Sequence, residues 1–246
     1  MQPTIEVSDF ADLALTRYMS LQLQAPGRLL ISVSGVPGSG KTTFANAVVH
    51  RINQISQLQH GVAVACALPM DGYHLSREDL ASLPDPEEAR RRRGAPFTFD
   101  ADGLHRLLEQ LREPPSSTLY APSFDHAIKD PIPKNISILA TQRIVIVEGN
   151  YLCFNPPDVP DGGKESTCTH PSPLWRKISA LFDEKWVIDT PLEITSSRLA
   201  LRHLAAGIVG SLEEGFERAN GSDRENSNDI LRWMGAYDRK ISAFSV

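Results

Sequence analysis

The stretch ISVSGVPGSGKTTFANAVV, residues 31–49, constrains the fold more than any other part of the chain. An apolar run, Arg28 to Ser34, meets a glycine-rich turn, and apolar residues at helical spacing follow from Thr42 to about Gln57. A strand entering a helix through so tight a turn is half of a βαβ unit, which calls for a parallel sheet. Gly35, Gly40, Lys41 and Thr42 fit the pattern G-x-x-x-x-G-K-[ST], with Val36, Pro37, Gly38 and Ser39 between the glycines and Thr43 just after. Successive N–H groups of such a turn cradle phosphates, and the helix start adds its positive end. Lys41 is spaced to reach the β- and γ-phosphates, and the Thr42 hydroxyl to ligate Mg²⁺. The expected cofactors are ATP and Mg²⁺.

The rest of the chain alternates in the same way. Ser8 or Asp9 is placed to cap a first helix within residues 1–27, with Phe10, Leu13, Ala14 and Leu21 at helical spacing. Val62–Leu68, Arg143–Val147, Lys185–Ile188 and, more weakly, Ile241–Val246 read as further strands; Phe99–Leu111 reads as a helix stopped by Pro114 and Pro115. Continuous apolar strands separated by helices predict a three-layer α/β/α domain spanning 1–246, with a mainly parallel five-stranded sheet covered on both faces. The Pro-, Gly- and Ser-rich segment 155–173 reads as a surface insertion.

Composition narrows the class. A net charge of −5 lacks the basic footprint of a nucleic-acid binder. No run reaches the ~18 apolar residues of a membrane span, and Glu6, Asp9 and Asp12 argue against a secretory leader. Cys66, Cys153 and Cys168 have neither metal spacing nor a paired framework. The expectation is a cytoplasmic protein without nucleic-acid or membrane partners.

Three of the strands end in a carboxylate: Asp71, Glu148 and Asp189. Ligands of open parallel sheets bind beyond the carboxyl ends of the strands, so all three point to the phosphate side. In MDGYHL, Gly72 permits close approach while Tyr73 and His74 offer polar contacts; VEGNYL repeats the pattern after Glu148. Asp189 precedes Thr-Pro and reads as structural. Arg198 and Arg202 stand four apart and share a helix face. His203 reads as incidental.

The ordered motifs GVPGSGKTT, PMDGYHL, RRRGAPFTFD, YAPSFDH, IVIVEGNYL and SRLALRHL resemble the phosphoribulokinase/uridine kinase/pantothenate kinase group of P-loop kinases, in wording its uridine kinase-like or fructose kinase-like branch. The resemblance runs from about Leu29 to the C-terminus, and the 155–173 insertion departs from it. It implies transfer of the γ-phosphoryl group of ATP to a hydroxyl of a small metabolite: a nucleoside, a sugar, pantothenate or glycerate. By it, Asp71 is the general base and Glu148 serves Mg²⁺, two roles that sequence leaves exchangeable. Arg198 and Arg202 become arginines of a lid at about 193–222. One arginine of 90–93, taken as Arg93, faces the acceptor, with Tyr73, His74, Tyr120, Asp125 and His126 as pocket residues. The segment NGSDRENSND is expected near the adenine, and a homodimer is left open. A P-loop GTPase or ATPase switch without an acceptor is the competing class, but an [NT]-K-x-D guanine motif is absent from the chain.

Overall fold

The computed structural model describes residues 5–23, 27–125, 127–157 and 172–242. Its helices and strands, in chain order, are α1 (Ile5–Gln22), β1 (Leu29–Ser34), α2 (Lys41–His60), β2 (Ala65–Pro69), α3 (Arg77–Ala81), α4 (Pro86–Arg91), α5 (Ala101–Arg112), β3 (Leu119–Asp125), β4 (Asp130–Ile138), β5 (Ile144–Gly149), α6 (Leu174–Ala180), β6 (Glu184–Asp189), α7 (Leu192–Ala205), α8 (Leu212–Asn220), α9 (Ser222–Arg232) and β7 (Arg239–Ser242).

Five strands form one parallel sheet in the order β2-β5-β1-β6-β7. The central strand β1 pairs with β5 from Leu29↔Ile144 to Ser34↔Gly149 and with β6 from Ile31↔Glu184 to Ser34↔Val187. Every residue of β1 and β5 is buried. Alternate side chains supply two cores, as the pleat requires. Leu30, Val145 and Val147 join Leu104, Leu108, Tyr151, Trp175 and Ile230 on one face. Leu29, Ile31 and Val33 join Val7, Ala11, Phe44, Val48 and Trp186 on the other. The second core is closed by α1, whose Phe10 ring meets Phe44 at 5.3 Å and Trp186 at 4.7 Å, both edge-on.

Several boundaries differ from expectation. Helix α1 begins at Ile5, so Ser8 and Asp9 lie inside it rather than at its cap. The last strand ends at Ser242, two residues into the expected Ile241–Val246, and 243–246 lie outside the described residues. Of the insertion, 158–171 also lie outside them. The antiparallel hairpin β3–β4 has no counterpart in the sequence reading. Pro122, Pro131 and Pro133 interrupt its pattern, and proline sits in a strand only where its missing N–H goes unused.

Candidate active site

The loop between β1 and α2 sits at the carboxyl end of the central strand. Gly38 and Gly40 carry φ of 79° and 98°, left-handed values that a side chain would strain. Those turns let the loop curl so that its N–H groups converge at the start of α2. The Lys41 side chain folds back and its Nζ donates to the Val36 carbonyl at 3.0 Å. Burial depresses the Lys41 pKa, while Glu148 and Asp71 oppose the shift.

One cavity of about 280 Å³ gathers Pro37, Gly38, Gly40, Lys41, Thr42 and Thr43 with Asp71, Glu148, Asn150, Arg198 and Arg202. Thr42 Oγ1 donates to Glu148 Oε1 at 2.9 Å. Burial pushes Glu148 up to about 6, with Lys41 pulling the other way. A hydroxyl and a carboxylate oxygen in contact form the hard-oxygen donor pair that Mg²⁺ takes alongside substrate phosphates. Among the described residues no group of three or more His, Cys, Asp or Glu could hold an ion alone. The donor set therefore fits a metal that arrives with a nucleotide.

Helix α7 brings Arg198 and Arg202 to the opposite wall. Arg198 Nη1 lies 3.4 Å from both the Gly38 and Ser39 carbonyls. Thr190 Oγ1 also donates to the Ser39 carbonyl, at 3.0 Å, which fixes the start of α7 against the loop. Asp189 pairs with Lys240 at the surface and takes no part in this cavity.

The residues expected to hold the acceptor are spread over several places. His74 stays beside Asp71: its Nδ1 lies 2.8 Å from the Asp71 carbonyl, and its ring packs between Phe99 and Phe124. Arg93 covers the Phe124 ring at 5.4 Å and donates to Leu75 O and Asp130 Oδ1. Tyr73 and Tyr120 line a different, more open groove of about 690 Å³ between the hairpin and α5, which His74 also borders. Strand alternation turns Tyr120 outward, where it is 56% exposed. Asp125 Oδ1 accepts from Ala127 N at 2.7 Å and Ile128 N at 3.3 Å, so its carboxylate closes the hairpin turn. His126 lies outside the described residues.

Three further placements stand out. Asn150 lines the same cavity as Lys41 and Glu148; it is one of the residues that repeat the MDGYHL pattern in VEGNYL, just beyond β5. The segment NGSDRENSND forms the end of α8 and most of α9, and its Asn226 and Asp229 hold Arg92. His203 is buried and bonded to Asp223.

A glycine-cradled helix start at the central strand of a β2-β5-β1-β6-β7 parallel sheet defines the P-loop nucleoside triphosphate-binding class. No family model matches the chain. It is 42% identical over 166 residues to an Aspergillus versicolor ATP-dependent kinase-like protein, covering 66% of this chain and 87% of that one. It is 36% identical over 211 residues to a Schizosaccharomyces pombe protein whose name proposes a uridine kinase, covering 86% and 81%. A crystal structure from Silicibacter sp. TM1040, described as a proposed fructose transport system kinase, superposes with a TM-score of 0.75 at 29% identity, over 94% of this chain and 98% of that one. The chain belongs to the phosphoribulokinase/uridine kinase/pantothenate kinase group of P-loop kinases.

Proposed function

We propose that the protein transfers the γ-phosphoryl group of ATP to a hydroxyl of a small metabolite. The observation that carries this reading is the single cavity holding Lys41, the Thr42–Glu148 pair, Asp71 and two arginines. Phosphoryl transfer needs positioning and charge neutralisation more than covalent help. The N–H groups of the loop from Gly38 to Thr43 would hold the phosphates, with Gly35, Val36 and Pro37 shaping its entry, and Lys41 would exchange the Val36 carbonyl for a phosphate oxygen. Thr42 and Glu148 would hold Mg²⁺, which when bound neutralises charge on the β- and γ-phosphates. Arg198 and Arg202, on a lid formed by α7 and α8, would cover the transferring group.

Asp71 is the carboxylate left for the acceptor. It follows β2, two strands from β1, and shares the cavity with the phosphate groups. There it would orient the hydroxyl and accept its proton late in transfer. His74, Phe124 and Arg93 extend from Asp71 toward the hairpin and would form the acceptor side. The names of the relatives make uridine and fructose the first acceptors to try.

A screen of coupled ADP release, with nucleosides, sugars, pantothenate and glycerate as acceptors, tests the reading. ATP turnover should accelerate with one acceptor class and fall by roughly 10²-fold or more in Lys41→Ala. Turnover indifferent to every alcohol, or intact without Lys41, would refute it.

A further inference from the structure

We propose that Arg92 is a positioning residue: it fastens the segment bearing Arg93 to α9, and through α9 the placement of the acceptor side is tied to the lid. The inference rests on the phosphotransfer reading, which makes α7 part of a lid and Arg93 an acceptor-side group.

The four arginines of 90–93 differ sharply in surroundings. Arg92 is the buried one, 7% exposed. Its Nε and Nη2 donate to Asn226 Oδ1 at 3.2 and 3.0 Å, and Nη2 also donates to Asp229 Oδ2 at 2.7 Å. Nη1 pairs with Glu225 Oε2 at 3.0 Å as well, and a planar fork meeting three partners on one helix fixes direction as well as distance. Asn226 is itself 2% exposed, and its Nδ2 stands close enough to Gly94 that an added Cβ there would lie 3.2 Å from it. Tyr151, directly beyond β5, donates to the Gly94 carbonyl at 2.6 Å, and Gly94 N donates to Thr98 Oγ1 at 2.9 Å. The backbone on the far side of Arg93 is thereby clamped from α9 and from the end of β5. From that clamp Arg93 reaches Leu75 O and the Phe124 face, and Phe124 packs on His74, which bonds the Asp71 carbonyl.

The other end of α9 is fastened to α7. His203 Nε2 lies 2.7 Å from Asp223 Oδ2, with His203 5% exposed, and just before α9 the last residue of α8 is held to α7 as well, Ser196 Oγ donating to Asn220 Oδ1 at 3.2 Å. Asp223, Asn226 and Asp229 follow one another at three-residue steps, so both clamps sit within two turns of one helix. His203 is next in sequence to Arg202, which lines the phosphate cavity. A movement of α7 toward a bound triphosphate therefore pulls on the helix that holds Arg92. Coupling between the sides needs such a shared rigid element, and α9 supplies it.

Hydrogen exchange on the full chain, with MgAMPPNP as probe, tests the inference without knowledge of the acceptor. In the wild-type protein the analogue slows exchange within 192–205 and also, by about threefold or more, within 90–99. In His203→Phe, slowing within 192–205 persists and slowing within 90–99 is lost; Asp223→Ala cuts the same bond should that variant not fold. Arg92→Lys keeps the charge but not the fork, so 90–99 exchanges fast with or without the analogue. If Arg92→Lys merely lowers Tm and leaves the response of 90–99 intact, or if slowing in the wild type stops at 192–205, the inference falls alone. If the analogue protects no segment, the kinase reading falls and takes this inference with it.

Discussion

Replacing Glu148 by Gln should make the protein more stable and less active. Glu148 is 6% exposed, and burial raises its pKa from the ordinary 4.5 to about 6. Between those values the folded protein holds a proton that the unfolded chain has released, so stability falls as pH rises through this window. Above pH 6 the ionised, buried carboxylate costs, at about 1.4 kcal/mol per pH unit, about 2 kcal/mol. Gln has nearly the same shape, can still accept from Thr42 and cannot ionise. Glu148→Gln should therefore gain about 2 kcal/mol at pH 8, which for a chain of this size raises Tm by roughly 4–8 °C. The gain should shrink as pH falls through 6 and vanish below 4.5, where wild-type Glu148 is neutral too. In the same variant the Mg²⁺ concentration needed for ATP binding should rise by about tenfold or more, because a neutral amide is a poor ligand for a hard cation. Paired denaturation curves at pH 8 and pH 4.5, with a Mg²⁺ titration, check both halves. A variant less stable than wild type at pH 8, or a gain equal at both pH values, would refute the reasoning.

Asp71→Asn should still bind MgATP with near-normal affinity while single-turnover transfer drops by about 10²- to 10⁴-fold; loss of metal binding instead would assign the metal to Asp71. Arg198→Ala and Arg202→Ala should each lower turnover with little change in Tm, since both side chains reach over the cavity from a surface helix; a loss confined to Tm would make α7 scaffolding. Gly72→Ala should cost roughly 1–3 kcal/mol by thermal denaturation, because the added carbon would stand 2.1 Å from the Pro122 carbonyl oxygen and must push the hairpin off the Asp71 turn.

What could be read in advance was whatever depends on local pattern. The buried strands β1 and β5 announce themselves as unbroken apolar runs, and the loop between β1 and α2 by its glycines and lysine. Asp71 and Glu148 converge because parallel strands end on one side, a rule of topology that needs no contact map. The proposed acceptor side was harder. Prolines hid the hairpin, and a regular strand period would set Tyr120 and Phe124 on one face; the register break between Ala121 and Ser123, which nothing in YAPSFDH announces, comes between the outward Tyr120 and Phe124, which packs on His74. In RRRG, identical residues received different fates from the turn at the end of α4: Arg91 pairs with Glu88 and Glu225, Arg92 is buried, and Arg93 reaches the hairpin. The α9 partners of Arg91 and Arg92 lie about 134 residues away, in a stretch so polar that burial of Asn226 and Ser227 has no local signature.

The aromatic contact of α1 bears on how the protein can be handled. Every motif of the kinase group lies from Gly35 onward, so trimming to the recognisable catalytic span would begin near Leu29 and discard α1. Phe44 and Trp186, both at 0% exposure, would then face water beside Ile31 and Val33. Phe44 lies in the first turn of α2, whose N-terminus is proposed to hold the phosphates. Such a fragment would keep every residue assigned a role here, yet carry an open apolar face on the back of its own phosphate site, a surface that promotes aggregation.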